Sequence, residues 1–195
     1  MKRTINKSKL MSIEKLKFKI SVLGDPNVGK TSLIHHFCEG FFKESYLATI
    51  GVAFLTKTLD IEVEPGKMVN VVLQIWDVGG QSIFSRIRSK YIKGSQGCLC
   101  VWDVTNKNSL LHIDAWVDEL IRSLNITDLS KFPLLVIGNK IDLNYDKNFA
   151  KRAEQYLQNQ FKIRIPTTFT SAKTGEGMNE AFEFITKLML KKIGY

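Results

Sequence analysis

Long apolar runs are missing from these 195 residues, and no stretch approaches the roughly 18 needed to cross a bilayer. The start, Met1-Lys2-Arg3, leads into no apolar core of a secretory signal, so a cytoplasmic chain is expected. Cysteine is scarce: Cys38, Cys98 and Cys100 have neither metal-ligand nor redox spacing, which excludes a disulfide scaffold and a zinc site. Cys98 and Cys100 lie two apart in an apolar run, so they share one strand face, and all three read as small buried hydrophobes. The three histidines, His35, His36 and His112, have no carboxylate-rich or cysteine-rich surroundings and read as structural. A basic face on the body of the protein is missing too. Seven basic residues against Glu14 in residues 1–19, and three with no acid in residues 186–195, account for the whole net charge of +9. The excess therefore belongs to the tails, and a nucleic-acid partner is not expected.

What is present is ordinary globular composition, 44% hydrophobic and 24% charged, enough for one domain with a sizeable core. Gly24-Asp25-Pro26-Asn27-Val28-Gly29-Lys30-Thr31 fits G-x-x-x-x-G-K-[ST], a phosphate-wrapping loop. Gly24 and Gly29 permit backbone conformations closed to other residues and let N–H groups approach phosphate oxygens. Lys30 supplies a point charge to the terminal phosphates, and the Thr31 hydroxyl is a hard oxygen ligand suited to Mg²⁺. The context is right: Leu16, Phe18, Ile20 and Val22 alternate as a strand, and Leu33, Ile34 and Phe37 follow at helical spacing, opening a helix whose positive end faces the loop.

Further along, Val52 to Val63 and Met68 to Trp76 form a strand pair around the turn Glu64-Pro65-Gly66-Lys67, and a short polar helix runs to about Tyr91. Gly97 to Val104 and Pro133 to Ile137 are buried strands, and Pro166 to Thr170 is the last. Leu110 to Leu124, Phe149 to Leu157 and Met178 to Met189 carry helical periodicity. Strand–helix alternation of this kind predicts an α/β, three-layer P-loop NTPase fold. Its six-stranded sheet is mostly parallel with one antiparallel edge strand, and helices cover both faces. The expected division is a basic extension at 1–15, the nucleotide domain at 16–190 and a short basic tail at 191–195. Ligands of such sheets sit beyond the carboxyl ends of the strands, where each motif falls.

Gly24–Thr31, Thr49, Asp77–Gln81, Asn139–Asp142 and Ser171–Lys173 resemble, in order and approximate spacing, the five guanine-nucleotide signatures of Ras-superfamily small GTPases. The resemblance covers roughly residues 17–190 and looks closest to Rab proteins through Tyr46–Val52, Leu73–Asp77 and Trp102–Thr105. Asp77-Val78-Gly79-Gly80-Gln81 instead resembles Arf proteins. Asp142 decides the base, because its carboxylate accepts two hydrogen bonds from the N1–H and N2 amino group of guanine, a donor pair that adenine lacks. The resemblance further implies that Asn139 braces the loop and base, Lys140 lies along the ring, the Ala172 N–H meets the guanine O6, and Phe42 packs against the base. Asp25, Pro26, Asn27, Val28, Gly29, Lys30, Thr31, Ser32, Tyr46, Thr49, Gly80, Ser171 and Lys173 complete the nucleotide set. Thr31, Thr49 and Asp77 are the implied Mg²⁺ ligands. Gln81 orients the attacking water, with Lys30 and Thr49 as the other catalytic residues, and the Gly80 N–H contacts the γ-phosphate.

The implied activity is a GTP/GDP switch that hydrolyses GTP slowly, recruits effectors when GTP-bound and relies on an exchange factor and an activating protein. The alternative is a guanine-nucleotide-bound interaction module whose hydrolysis is incidental. No internal arginine finger is assignable. Arg86 and Arg88 sit on the polar helix and read as a solvated face. Pro26 departs from the family, adding ring bulk where a partner's finger would enter. Phe54, Trp76 and Tyr91 match an aromatic trio that Rab proteins present to effectors, or else are ordinary hairpin packing. The termini, Met1-Lys2 and Ile193-Gly194-Tyr195, carry no recognisable lipidation signal. The basic tails are expected at the pole away from the nucleotide, as weak contacts for anionic membrane or as solvated ends.

Overall fold

Alternation of apolar and polar residues along β1 (Lys15–Leu23) buries Phe18, Ile20 and Val22 and sets the centre of the sheet. The computed structural model describes residues 15–42, 49, 51–80 and 85–195, with only the backbone at 85 and 86. Expectations for Tyr46 and Gln81 therefore lie outside the described residues.

After β1 come α1 (Lys30–Glu39), β2 (Val52–Glu64), β3 (Lys67–Val78), α2 (Ser85–Ile92) and β4 (Gly97–Asp103). They are followed by α3 (Lys107–Leu111), α4 (Ile113–Leu124), β5 (Leu134–Asn139), α5 (Lys147–Lys151), α6 (Ala153–Phe161), β6 (Thr167–Thr170) and α7 (Met178–Lys192). The sheet has six strands in the order β2-β3-β1-β4-β5-β6. Among the described residues only the β2–β3 pair is antiparallel, as the turn between them requires. This is the α/β three-layer architecture expected from strand–helix alternation.

Period-two alternation sorts the strand residues between two cores. Leu99, Val101, Leu135 and Ile137 face α1 and α7, where the rings of Phe37 and Phe182 stack with centroids 3.7 Å apart. Cys98, Cys100, Trp102, Leu134 and Val136 face α4 and α6. Cys98 and Cys100 do share a face, with sulfurs 3.9 Å apart, and burial pushes the Cys98 thiol well up. Cys38 differs from expectation in being only half-buried.

Two helices read as continuous from periodicity are broken. His112 separates α3 from α4, and Arg152 separates α5 from α6; both residues keep near-helical backbone angles. The apolar stripe runs through each break, so periodicity could not register it. A larger departure is Arg88, expected on a solvated face but only 6% exposed. Its helix packs on α4, which supplies the Glu119 carboxylate and the Trp116 ring to cover the guanidinium.

Candidate functional site

The carboxyl ends of β1, β3, β5 and β6 meet α1 at one pole, and the site is built from the turns that leave them. The first turn follows β1. Gly24 has φ 143°, and a Cβ there would lie 2.1 Å from the Val101 carbonyl oxygen. Gly29 has φ 94°, and its Cβ would lie 2.4 Å from Asn139 Nδ2. Both positions therefore need glycine, for backbone conformation and for space. Val28 is buried, whereas Pro26 and Asn27 are exposed at the loop's crest.

Lys30, the first residue of α1, is 6% exposed, and its Nζ donates to the carbonyls of Gly24 (2.8 Å) and Asp25 (2.7 Å). Burial pulls its pKa down to about 8, against the opposing attraction of Asp77 and Asp25. One position on, the Thr31 hydroxyl donates to Asp77 Oδ2 and lies 2.5 Å from the Thr49 hydroxyl. Asp77, near the end of β3, is fully buried, and its Oδ1 has no hydrogen-bond partner among the described residues. Burial raises the pKa of this carboxyl, opposed by the Thr31 hydroxyl and the Lys30 charge.

A buried carboxylate oxygen without a partner, beside two converging hydroxyls, is a donor set for a small hard cation. Among the described residues no three His, Cys, Asp or Glu side chains gather. Such a cation would therefore depend on these hydroxyls and on oxygens from a ligand, which is how Mg²⁺ is held beside phosphates. The residues fit it.

The motifs expected to bind the base lie across the loop. Asn139 ends β5, is fully buried, and joins three segments. Its Nδ2 donates to the Val28 carbonyl at 2.9 Å, and its Oδ1 accepts from Thr170 Oγ1 at 3.1 Å and from the Ala172 N–H at 3.0 Å. That N–H was assigned to the guanine O6 by resemblance, so serving a base would mean sharing it with Asn139. Lys140 has φ 73°, and its Nζ pairs with Asp103 Oδ2 at 2.6 Å. Its stem passes over the phosphate loop, with Cε 3.9 Å from where a Gly29 Cβ would be. The exposed Asp142 accepts from Ser171 Oγ at 2.6 Å, which holds the carboxylate beside the Ser171–Lys173 turn. Phe42 is half-buried, Ser32 lies on α1 and Lys173 is exposed.

Asp25, Asp103 and His36 have supporting roles that residue type alone did not signal. The Asp25 carboxylate turns to α4, accepting from Trp116 Nε1 at 2.8 Å and from His112 Nδ1 at 2.7 Å. Asp103 ends β4 and anchors Lys140, while His36 Nδ1 donates to the Ala172 carbonyl at 2.6 Å and ties α1 to the base side. Outside the pocket, the Phe54, Trp76 and Tyr91 rings do assemble, with centroids 5.1 and 6.0 Å apart and Phe54 half-exposed.

Residues 19–191 match the model of the Ras family. The chain is 39% identical to Ras-related protein Rab7 of Drosophila melanogaster, over 89% of this chain and 80% of the relative. It is 38% identical to the Ypt/Rab-type GTPase avaA of Emericella nidulans, over 93% and 86% respectively. For the Ypt/Rab-type GTPase YPT7 of Saccharomyces cerevisiae the identity is 35%, over 89% and 82%. A family match across nearly the whole described domain, and relatives covered for four fifths of their length, place this chain in the Ras family as a Rab-like small GTPase.

Proposed function

We propose that the pocket between the phosphate loop and the Asn139–Asp142 and Ser171–Lys173 turns binds GTP and GDP with Mg²⁺. The chain then acts as a slow GTP-hydrolysing switch in membrane traffic. The activity follows from relatives named Ypt/Rab-type GTPases. The observation that carries the switch is the contact of Thr49 with Thr31 beside buried Asp77. Thr49 comes from a segment separate from α1 and β3, so its presence in the cluster can depend on the phosphate state.

Each residue has a defined task. Lys30 and the N–H groups of the phosphate loop hold the β- and γ-phosphates, and the Gly80 N–H faces the γ-phosphate. Thr31, Thr49 and Asp77 would hold Mg²⁺, which supplies charge neutralisation for the transferred phosphoryl group. Asp142 selects guanine, while Asn139 and Lys140 brace the base against the phosphate loop. Gln81 orients water for in-line attack, its amide both donating and accepting. When the γ-phosphate leaves, the segments at Thr49 and Gly80 lose a shared anchor and relax, and effectors read that change. The aromatic trio beside them suits such effectors. Exchange factors and an activating protein complete the cycle, as they do for Rab-type switches in general.

Single-turnover hydrolysis of bound GTP tests the reading. Gln81→Leu should fall at least tenfold below the parent, and equal rates would favour the interaction-module alternative. That alternative finds no support in relatives named as GTPases.

No helix among the described residues is long and apolar enough to cross a membrane. Peripheral contact through the basic tails is supported by where the described chain begins and where α7 ends. β1 starts at Lys15, and α7 carries Lys191 and Lys192 to the pole opposite the phosphate loop, where Lys67 Nζ lies 5.6 Å from the Tyr195 ring centre. Each basic residue near an anionic surface contributes about 1 kcal/mol. Pelleting with phosphatidylserine liposomes should fall steeply with salt, and salt-independent or absent binding would refute the contact.

A further inference from the structure

The phosphate loop and the Gly79–Gly80 segment are joined by a closed ring of contacts through α4. Trp116, 7% exposed, donates its indole N–H to Asp25 Oδ1 at 2.8 Å, while His112 holds the other oxygen at 2.7 Å. The face of the same indole carries the Arg88 guanidinium, with Cζ 4.6 Å from the ring centre. Arg88 Nε donates to Glu119 at 2.8 Å, and its Nη1 reaches back to the Gly79 carbonyl at 3.4 Å. Gly80 closes the ring by lying on the phosphate loop itself. A Cβ on it would be 2.5 Å from the Gly24 oxygen and 2.7 Å from the Pro26 nitrogen.

We propose that Trp116 and Arg88 are positioning residues for GTP hydrolysis, setting the height of the Gly79–Gly80 backbone above the phosphate loop. This rests on the proposed role of the Gly80 N–H at the γ-phosphate. The hydrogen bond from Arg88 to Gly79 spans from α2 to the segment that carries Gly80, so Arg88 is the arm that reaches it and Trp116, fixed to Asp25, is its base. Chemistry selects both residue types. An indole offers a broad ring face to a guanidinium and an N–H to a carboxylate at the same time. Only a guanidinium can stack on that face while its planar fork serves a carboxylate and a carbonyl in different directions. Glu119 neutralises a cation that is otherwise buried. Positioning of this kind matters to phosphoryl transfer, which relies on geometry and charge more than on a strong base.

The test uses Trp116→Phe, which keeps a ring under Arg88 but removes the N–H, and Arg88→Lys, which keeps the charge but not the fork. Each is combined with single-turnover hydrolysis, GDP dissociation and thermal melting of the Mg²⁺–nucleotide complex. Hydrolysis should slow roughly ten- to a hundredfold in either variant, the worth of one charge-assisted hydrogen bond. GDP dissociation should stay within about twofold, because GDP lacks the phosphate that Gly80 faces. The double variant should be no slower than the worse single, since both break one ring. Parent-like hydrolysis in both variants would overturn the proposal. So would a matching rise in GDP dissociation, the mark of general loosening, or effects that multiply in the double variant. Should Trp116→Phe not fold, Arg88→Lys alone carries the test. Gln81→Leu in the same series separates the two levels. A parent-like rate there removes the catalytic reading itself, while slow Gln81→Leu with parent-like Trp116→Phe and Arg88→Lys removes only the ring.

Discussion

Removing the Asn139 side chain should cost more than any single hydrogen bond, because its amide serves three segments at once. Asn139→Ala leaves the Val28 carbonyl and the Ala172 N–H without their partner, in a place where Asn139 is fully buried. Each orphaned buried group costs about 1–3 kcal/mol, whereas the Thr170 hydroxyl can turn to another acceptor. The expected loss is about 2–6 kcal/mol, a large share of the roughly 5–15 kcal/mol that holds a domain of this size together. Urea unfolding of the nucleotide-free protein reads it directly: the midpoint falls while the slope stays constant. A second signature is kinetic. With the Val28 link gone, the phosphate loop and the base-binding turns are no longer fixed to each other, and GDP should leave about thirtyfold faster for each 2 kcal/mol lost. Asn144→Ala, at an exposed position five residues on, should stay within about 0.5 kcal/mol of the parent. A loss below 1 kcal/mol for Asn139→Ala, with the slope unchanged, would refute the reasoning, since the buried groups would then have found other partners at little cost.

Glycine positions should separate sharply. Gly24→Ala places a methyl 2.1 Å from a backbone oxygen at φ 143° and should lower stability by more than about 4 kcal/mol, or prevent folding. Gly66→Ala, at φ 77° with open space around it, should cost about 1 kcal/mol in the same thermal melts. Burial of the Cys38 thiol, with smaller influences from Lys57 and Glu39, pushes its pKa up to about 11. Iodoacetamide at pH 8 should therefore alkylate it at least about a hundredfold more slowly than free cysteine, with the rate climbing toward pH 11. Unfolded chains release that proton first, so the group withdraws stability as pH rises from about 9 toward 11, a sign that urea midpoints across this range can check. Pro26→Gly, at the exposed crest of the phosphate loop, should raise the activator-stimulated hydrolysis rate by opening room for a partner's side chain. Unchanged rates with and without activator would remove that idea.

The sheet, and the gathering of the motif residues at one pole, were legible because both are written in local patterns. Period-two strands, the glycine spacing of Gly24 to Gly29 and the positions of Asp77 and Asn139 each reveal themselves within a few residues of sequence. The parts that escaped are those whose meaning depends on a neighbouring element. Asp25 looks like a loop residue awaiting phosphate, but its carboxylate belongs to His112 and Trp116, 87 and 91 positions away. Arg88 sits on a helix polar enough to read as solvated, and nothing in that helix announces the carboxylate that buries it. The strand order β2-β3-β1-β4 decides the matter. It sets α2, which follows β3, beside α4, which follows β4, on the same face of the sheet. Once that order is known, an arginine on α2 opposite a tryptophan and a glutamate on α4 has one low-energy arrangement, because a buried cation must find both a counter-charge and a surface to lie on. The motifs thus name the atoms proposed to touch nucleotide, and the topology names the atoms that hold those in place. For a reaction controlled by geometry, rate should depend on the second set as well as the first.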